Sequence, residues 1–438
     1  MDNGEIMKTN RKSGDLTIQE VDYFRRIESA FMKRCRQFGY QEIKTGTIQP
    51  LHIYTALGTF SPSRLRRMYS FIDWDGWSGE RVVLKPDSSP SIVRFYAENL
   101  VKNQEHHKLC YVENHFEWSD TGENISERWQ CGIENIGDLS VTSDIETIFM
   151  AQDILEEMGF HNRHIFLSYP NIVRHIVQTL VFSKDQQQIV LDEIKKQRFD
   201  QVKSMLSGVD QSSVLIRLLE TKGNTASYLK NVVASLKGPD FEVIYDDMDR
   251  LISICEHLDQ MECPYTIDFS LIGNLDYYTG MQFQIFSKAS RKTNADILCA
   301  GGRYDQLAIE MFKLLNISTD KGLPDSIPSV GFALYAKNVI RHMMTETQDN
   351  AEKKPHIVIY LSQIAPNSMK MGQILSDVLT DMGFCSTLSL TPIEQDDFSK
   401  YGAVIEVNHE RFQNGYQFLH EKAINKYILN YILGDSNE

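Results

Sequence analysis

The chain has 438 residues, 42% of them hydrophobic and 10% aromatic, enough for a large core and for division into two or three domains. A formal net charge of −14 repels a phosphate backbone, whose binding depends on clustered Lys and Arg displacing counterions, so no tRNA partner is expected. No apolar run is long enough to cross a bilayer and the first residues are polar and mixed in charge, so a cytoplasmic location is expected. The seven cysteines (Cys35, Cys110, Cys131, Cys255, Cys263, Cys299, Cys385) stand singly, without a CxxC pair or a histidine at zinc-ligand spacing. They read as buried reduced thiols, and no metal site is expected.

Thr17 and Glu20 form a capping box, after which Val21, Phe24, Ile27, Phe31 and Cys35 recur at helical spacing until Gly39. A short strand follows over 40–43. Arg64, Arg66 and Arg67 make a compact basic cluster that stands out and reads as a solvated loop. Residues 81–84 predict a strand ended by Pro86, and Ser89 followed by Pro90 reads as a helix start, with serine as the cap and proline in the first turn. Strands are expected over 109–117 and 128–136, joined by an acidic turn at 119–127. The pattern is helical over 142–158 and again over 171–260, the latter a helical insertion. Strands resume at 265–267 and 281–285. Lys353, Lys354 and Pro355 mark a linker. It separates a core of residues 1–345 from a small α/β module over 353–438: a strand at 356–361, a helix ending near Gly383, a strand at 402–407 and a final helix.

Side chains two residues apart share one face of a strand. Gln130, Gly132 and Glu134 therefore project together, opposite Trp129, Cys131 and Ile133. A glycine between two hydrogen-bonding residues leaves room for a small polar ligand; the alternative is a half-exposed strand whose polar face meets water. By the same parity Tyr278, Gly280, Gln282 and Gln284 oppose Met281, Phe283 and Ile285.

The stretches LDYYTG (275–280) and AGGRYD (300–305) resemble the histidine-specific part of the histidyl-tRNA synthetase family. The resemblance implies an α+β fold of the class II aminoacyl-tRNA synthetase type, an antiparallel sheet flanked by helices, and a homodimer built on the N-terminal helix and strand. It also implies a histidine pocket. Tyr277 and Tyr278 would hold the imidazole beside Gly301 and Gly302. In LKPDSSPSIVRFYAEN (84–99), Asp87 and Ser89 match the residues that take the amino group. In WQCGIE (129–134), Gln130 matches the glutamine for the amino acid's backbone atoms and Glu134 the glutamate for the imidazole. An ammonium needs acceptors, and an imidazole held through both ring nitrogens is strongly discriminated. The tail from 353 resembles a reduced anticodon-binding module.

Adenylate formation needs arginines to meet negative charge at phosphorus, and one lost donor costs roughly 2.7 to 4 kcal/mol of barrier. Where the resemblance puts three such arginines, this chain has Glu117, Gly273 and Asn338. A histidine pocket without activation chemistry resembles the regulatory subunit of short-form ATP phosphoribosyltransferase. That family assembles with a separate catalytic subunit in the first step of histidine biosynthesis, with histidine as effector. The resemblance implies a non-catalytic, cofactor-free homodimer within a hetero-oligomer. A divergent histidyl-tRNA synthetase, or a stand-alone paralogue binding another amino acid or partner, are the alternatives.

Overall fold

A computed structural model of the chain describes residues 15–421 apart from 57–59, 61, 75–78, 101–105, 119–126, 182, 237–238, 273–276, 288–296, 318–323, 347–355, 363–365, 382–383, 395–400, 402 and 408–415. The expected final helix, the linker residues 353–355, Gly273 and almost all of the turn at 119–127 lie outside the described residues. The chain divides into two compact units, Met1–Thr345 and Glu346–Glu438.

The strands of the first unit are β1 (Gln41–Glu42), β2 (Ile48–Pro50), β3 (Ser70–Trp74), β4 (Gly79–Leu84), β5 (His107–Phe116), β6 (Glu127–Ile136), β7 (His164–Ser168), β8 (Tyr265–Ile267), β9 (Gln282–Phe286), β10 (Ile297–Arg303) and β11 (Ser329–Tyr335). Among the described residues, eight of them form one sheet in the order β1-β5-β6-β11-β10-β9-β7-β8, and β2-β4-β3 form a small antiparallel one. The large sheet is antiparallel through its middle, with a parallel pair at each end, β1 with β5 and β7 with β8. Two non-adjacent strand edges can pair in parallel only through long connections, and the helical insertion supplies the one between β7 and β8.

Strand parity divides the core in two. On one face, Cys110, Val112, Cys131, Ile133, Phe283 and Ile285 pack with the helices Ile18–Gln37 and Val141–Glu157 and with the insertion. Phe31 meets Phe332 edge-on at 6.5 Å and Phe24 meets Trp129 at 5.2 Å. On the other face, Tyr111, Tyr277, Tyr278 and Tyr304 cluster with the helices Ser88–Asn99 and Leu307–Leu314. The first helix starts as its sequence dictates: the Glu20 amide donates to Thr17 Oγ1 and the Thr17 amide to the Glu20 carboxylate. The insertion runs from helix Pro170–Leu180 to helix Tyr245–Gln260.

The helix at Pro90 starts differently from the sequence expectation. Asp87 is its cap, accepting the Ser89 amide at 3.1 Å, and Ser89 lies inside the first turn. Asp is as good a cap as Ser, and placing it two residues earlier leaves the Ser89 hydroxyl available elsewhere. The cysteines also divide: Cys35, Cys110, Cys131, Cys255 and Cys299 are buried, but Cys385 is exposed.

In the second unit β12 (His356–Leu361) is flanked in parallel by β13 (Cys385–Ser389) and β14 (Ala403–Val407), and β15 (Tyr416–Glu421) pairs antiparallel with β14. Ile357, Val358 and Ile359 are all buried, as an unbroken apolar run in a central parallel strand should be.

Among the described residues no helix is long and apolar enough to cross a membrane.

Candidate functional site

The polar face of β6 lines a small polar pocket. Asp87, Ser89, Gln130, Glu134, Tyr277 and Tyr278 all line it, brought together from the Ser88–Asn99 helix, β6 and the segment before β9. Tyr111, Tyr304 and Tyr335 complete much of the wall.

Glu134 is almost fully buried, yet it is held on both oxygens: Ser89 Oγ donates to Oε1 at 2.5 Å and the Tyr304 hydroxyl donates to Oε2. Burial pushes its carboxyl up to about 8, helped by the nearby charge of Asp87 and opposed by the two hydroxyl donors. Near neutrality this carboxyl can thus accept a proton or donate one, which suits a group meeting an imidazole. Asp87 is also raised by burial, with Arg64 pulling the other way. Its Oδ1 accepts from the Tyr277 hydroxyl at 3.4 Å and its Oδ2 lies 3.4 Å from Arg64 Nη2. Burial raises the phenols of Tyr111, Tyr277, Tyr278 and Tyr304 well above their usual range, so they serve as neutral hydrogen-bonding groups.

Beside Asp87 a polar network anchors the loop. Lys85 Nζ meets Glu113 Oε2 at 2.5 Å, and the Ser88 hydroxyl lies between Glu113 and His115 Nε2. The His115 imidazole is held well below its usual range, first by burial and then by the charges of Lys85, Arg64 and Arg128, so it stays neutral.

Glycines shape this site by admitting neighbours. Gly132 does not open space for a ligand as its position in WQCGIE predicts: a β-carbon there would lie 2.3 Å from the Tyr111 ring, which fills the gap. Gly301 and Gly302 are not among the residues lining the pocket. A β-carbon on Gly302 would meet the Met281 carbonyl at 2.5 Å and the Tyr278 ring at 3.0 Å, and one on Gly301 would meet the Gly331 carbonyl at 2.5 Å. Gly302 thus seats Tyr278, and Gly301 lets β10 pack closely against Gly331 and Phe332 of β11. Gly331, opposite Glu134 in the ladder, makes room for that carboxylate, since a β-carbon there would lie 2.2 Å from both Glu134 Oε2 and the Ile133 carbonyl. Gly331→Ala is expected to cost roughly 1–3 kcal/mol, because rotating Glu134 away cannot relieve the backbone clash. Urea denaturation checks this.

The basic cluster is not a solvated loop. Arg66 is exposed, but Arg64 and Arg67 both face Glu117, which also has Arg128 Nη1 at 3.8 Å. Asn338 lies outside the pocket lining, donating to the Ile297 carbonyl at 2.7 Å and accepting from Arg341 at 2.6 Å. Sequence reading missed Tyr304, Tyr111, Arg64 and Gly331 as site residues. Tyr304 had a signal, its place inside AGGRYD; Tyr111 had another, the alternation of Tyr111, Glu113 and His115 along one strand face. Arg64 had none, because its partners are remote in sequence.

A profile of the family described as histidyl-tRNA synthetase matches residues 13–339. The chain belongs to that family. A protein from Dehalococcoides mccartyi named ATP phosphoribosyltransferase regulatory subunit is 32% identical over 370 residues, covering 83% of this chain and 84% of that one, and places the chain with the regulatory-subunit branch. A protein from Sulfurisphaera tokodaii named histidine–tRNA ligase is 25% identical over 379 residues, covering 86% and 83%. A solved structure from Bacillus halodurans described as an ATP phosphoribosyltransferase regulatory subunit/histidyl-tRNA synthetase superposes with a TM-score of 0.72. It covers 90% of this chain and 96% of its own at 16% identity, and it shares the fold. The class II synthetase-like sheet with flanking helices is therefore the frame of this histidyl-tRNA synthetase family member.

Within that frame the raised carboxyl of Glu134 has a consequence for stability. Holding it protonated favours the folded state fully below its ordinary value of 4.5, and the benefit is lost as pH rises through about 8. The free protein is expected to lose on the order of a few kcal/mol across that window, and Glu134→Gln to flatten the curve. Denaturant unfolding at several pH values, wild type against variant, measures the difference.

Proposed function

We propose that the chain is a non-catalytic, histidine-responsive regulatory subunit of short-form ATP phosphoribosyltransferase, acting in the cytoplasm in the first step of histidine biosynthesis. The reading is carried by Glu134, a buried carboxyl with both oxygens pinned at the wall of a polar pocket beside a second carboxylate, Asp87. One imidazole nitrogen meets Glu134, and Tyr278 flanks the ring; the ammonium meets Asp87 and Ser89, with Tyr277 close by, and Gln130 takes backbone atoms of the ligand. Gly302 acts indirectly, through the seat of Tyr278, and Gly301 through the close packing of β10 against β11.

Absence of activation chemistry is supported by Glu117, a carboxylate paired with Arg67 and approached by Arg64 and Arg128 where the family resemblance implies an arginine. Residues 1–345 hold the effector in a homodimer, and the module 353–438, a reduced anticodon-binding fold, has no tRNA to read. Histidine biases the dimer between two arrangements to which the catalytic partner has different affinity.

Calorimetric titration of histidine into the purified chain should give saturable heat, and the chain should co-purify with a short-form phosphoribosyltransferase. Histidine-dependent exchange of pyrophosphate into ATP should be absent. Saturable exchange would establish a synthetase instead, and no heat with histidine would remove the effector site.

A further inference from the structure

The pocket has a closed end and an open one, and the strand registers set their order. On the face of β11 that lines it, Gly331, Ala333 and Tyr335 follow one another at the two-residue interval, each opposite a partner on β6: Glu134, Gly132 and Gln130 in turn. Successive rows lie roughly 7 Å apart. The first row is the closed end, where Glu134 and its neighbours Ser89, Tyr278 and Tyr304 are all buried. The middle row is low. The ring of Tyr111 stands over Gly132, and the rest of the floor is Ala333 with its cross-strand neighbour Ala300. In the third row the side chains become large again, Gln130 opposite Tyr335. Both are half-buried, as are the two alanines, so this is the end that opens outward.

We infer that Tyr335 is the length stop of the site: its ring closes the end that receives the ligand's carboxylate, so a free α-amino acid enters and one extended at the carboxyl does not. The inference rests on the reading of this pocket as an amino-acid site. With the ligand's imidazole at Glu134 and its ammonium at Asp87, the carboxylate is left to the third row, where Gln130 donates its amide. A residue as small as Ala333 in that row would let a longer ligand continue along β11, whereas tyrosine places a large, rigid ring there. The four residues at this end carry no charge, the Tyr335 phenol being pushed up to about 12 by burial. What they refuse is therefore refused on shape. A peptide bond to a second residue and a mixed anhydride with a nucleotide both add atoms at this place, and the ring excludes both.

Three ligands with the same imidazole and ammonium separate shape from charge. Histidinamide lacks the carboxylate charge of histidine at nearly the same size, and histidylglycine continues beyond the carboxyl. By titration calorimetry at one pH, wild-type protein is expected to bind histidylglycine about a hundredfold more weakly than histidine and about tenfold or more below histidinamide. Tyr335→Ala is expected to tighten histidylglycine by about tenfold or more, a gain that damage to the fold cannot produce. Tyr335→Phe, which keeps the ring, should leave the ratio as in wild type. Equal affinity of wild type for histidine and histidylglycine, or a ratio unaltered in Tyr335→Ala, would overturn the inference and leave the histidine reading standing. So would rejection of histidinamide as strong as that of the dipeptide, or a gain in Tyr335→Phe equal to that in Tyr335→Ala. If histidine itself fails to bind wild type, both fall together.

Discussion

Glu134→Ala is expected to weaken histidine binding by a hundredfold or more. The substitution removes the acceptor that Ser89 Oγ and the Tyr304 hydroxyl share. It therefore strands two buried donors as well as the imidazole partner, and each stranded group costs roughly 1–3 kcal/mol. Glu134→Gln retains an acceptor oxygen in nearly the same volume and should lose less. Titration calorimetry on the three proteins gives the ranking wild type, Gln, Ala; wild-type affinity in Glu134→Ala would exclude the carboxyl from ligand contact.

Asp144→Ala is expected to be among the most damaging single substitutions in the first unit, at roughly 3–5 kcal/mol. Asp144 is fully buried and bonded on both oxygens: Oδ1 to Arg303 Nε at 2.8 Å, Oδ2 to Arg250 Nε at 2.9 Å and Nη2 at 2.6 Å. Removing the carboxylate leaves the Arg303 guanidinium, itself 2% exposed, with the Ser143 hydroxyl, the Asp138 carbonyl and Asp305 as its partners among the described residues. The loss is not local in effect. The Arg303 carbonyl accepts the amides of Thr279 and Gly280, and Arg174 from the insertion donates to the Tyr278 carbonyl at 2.6 Å. The segment that carries Tyr277 and Tyr278 is thus hung from Arg303 and from the insertion together. Asp144→Ala should lower both the urea midpoint and the affinity for histidine, and Asp144→Asn should be milder. A variant as stable as wild type would show that the buried network is dispensable.

Much of this arrangement was legible along the chain, for reasons that differ by residue. Gln130 and Glu134 do share a polar face, because strand parity is a local property and the opposite face carries Cys131 and Ile133 into the core. Thr17 and Glu20 cap their helix for the same reason. The rule for Ser89 misplaced the helix start by choosing between two adequate caps, and the choice was made by Glu134, which claims the serine hydroxyl from another strand. The glycine at 132 was correctly read as space and wrongly assigned to a ligand, because the ring of Tyr111 comes from β5. Arg64 read as solvated since nothing nearby in sequence pairs with it; Asp87 lies 23 residues away.

The sequence by itself determined the capped first helix, the strands β5 and β6, the helical insertion, the polar face of β6, and where the chain resembles the family's motifs or departs from them. These depend on side-chain periodicity and on spacings of a few residues. Only the tertiary structure decided that Glu134 is clasped by Tyr304 and Ser89, that Gly331 clears room for it, and that Arg64 stands between Asp87 and Glu117. Those contacts join strands and helices far apart in the chain, and their energies depend on burial, which no local pattern encodes.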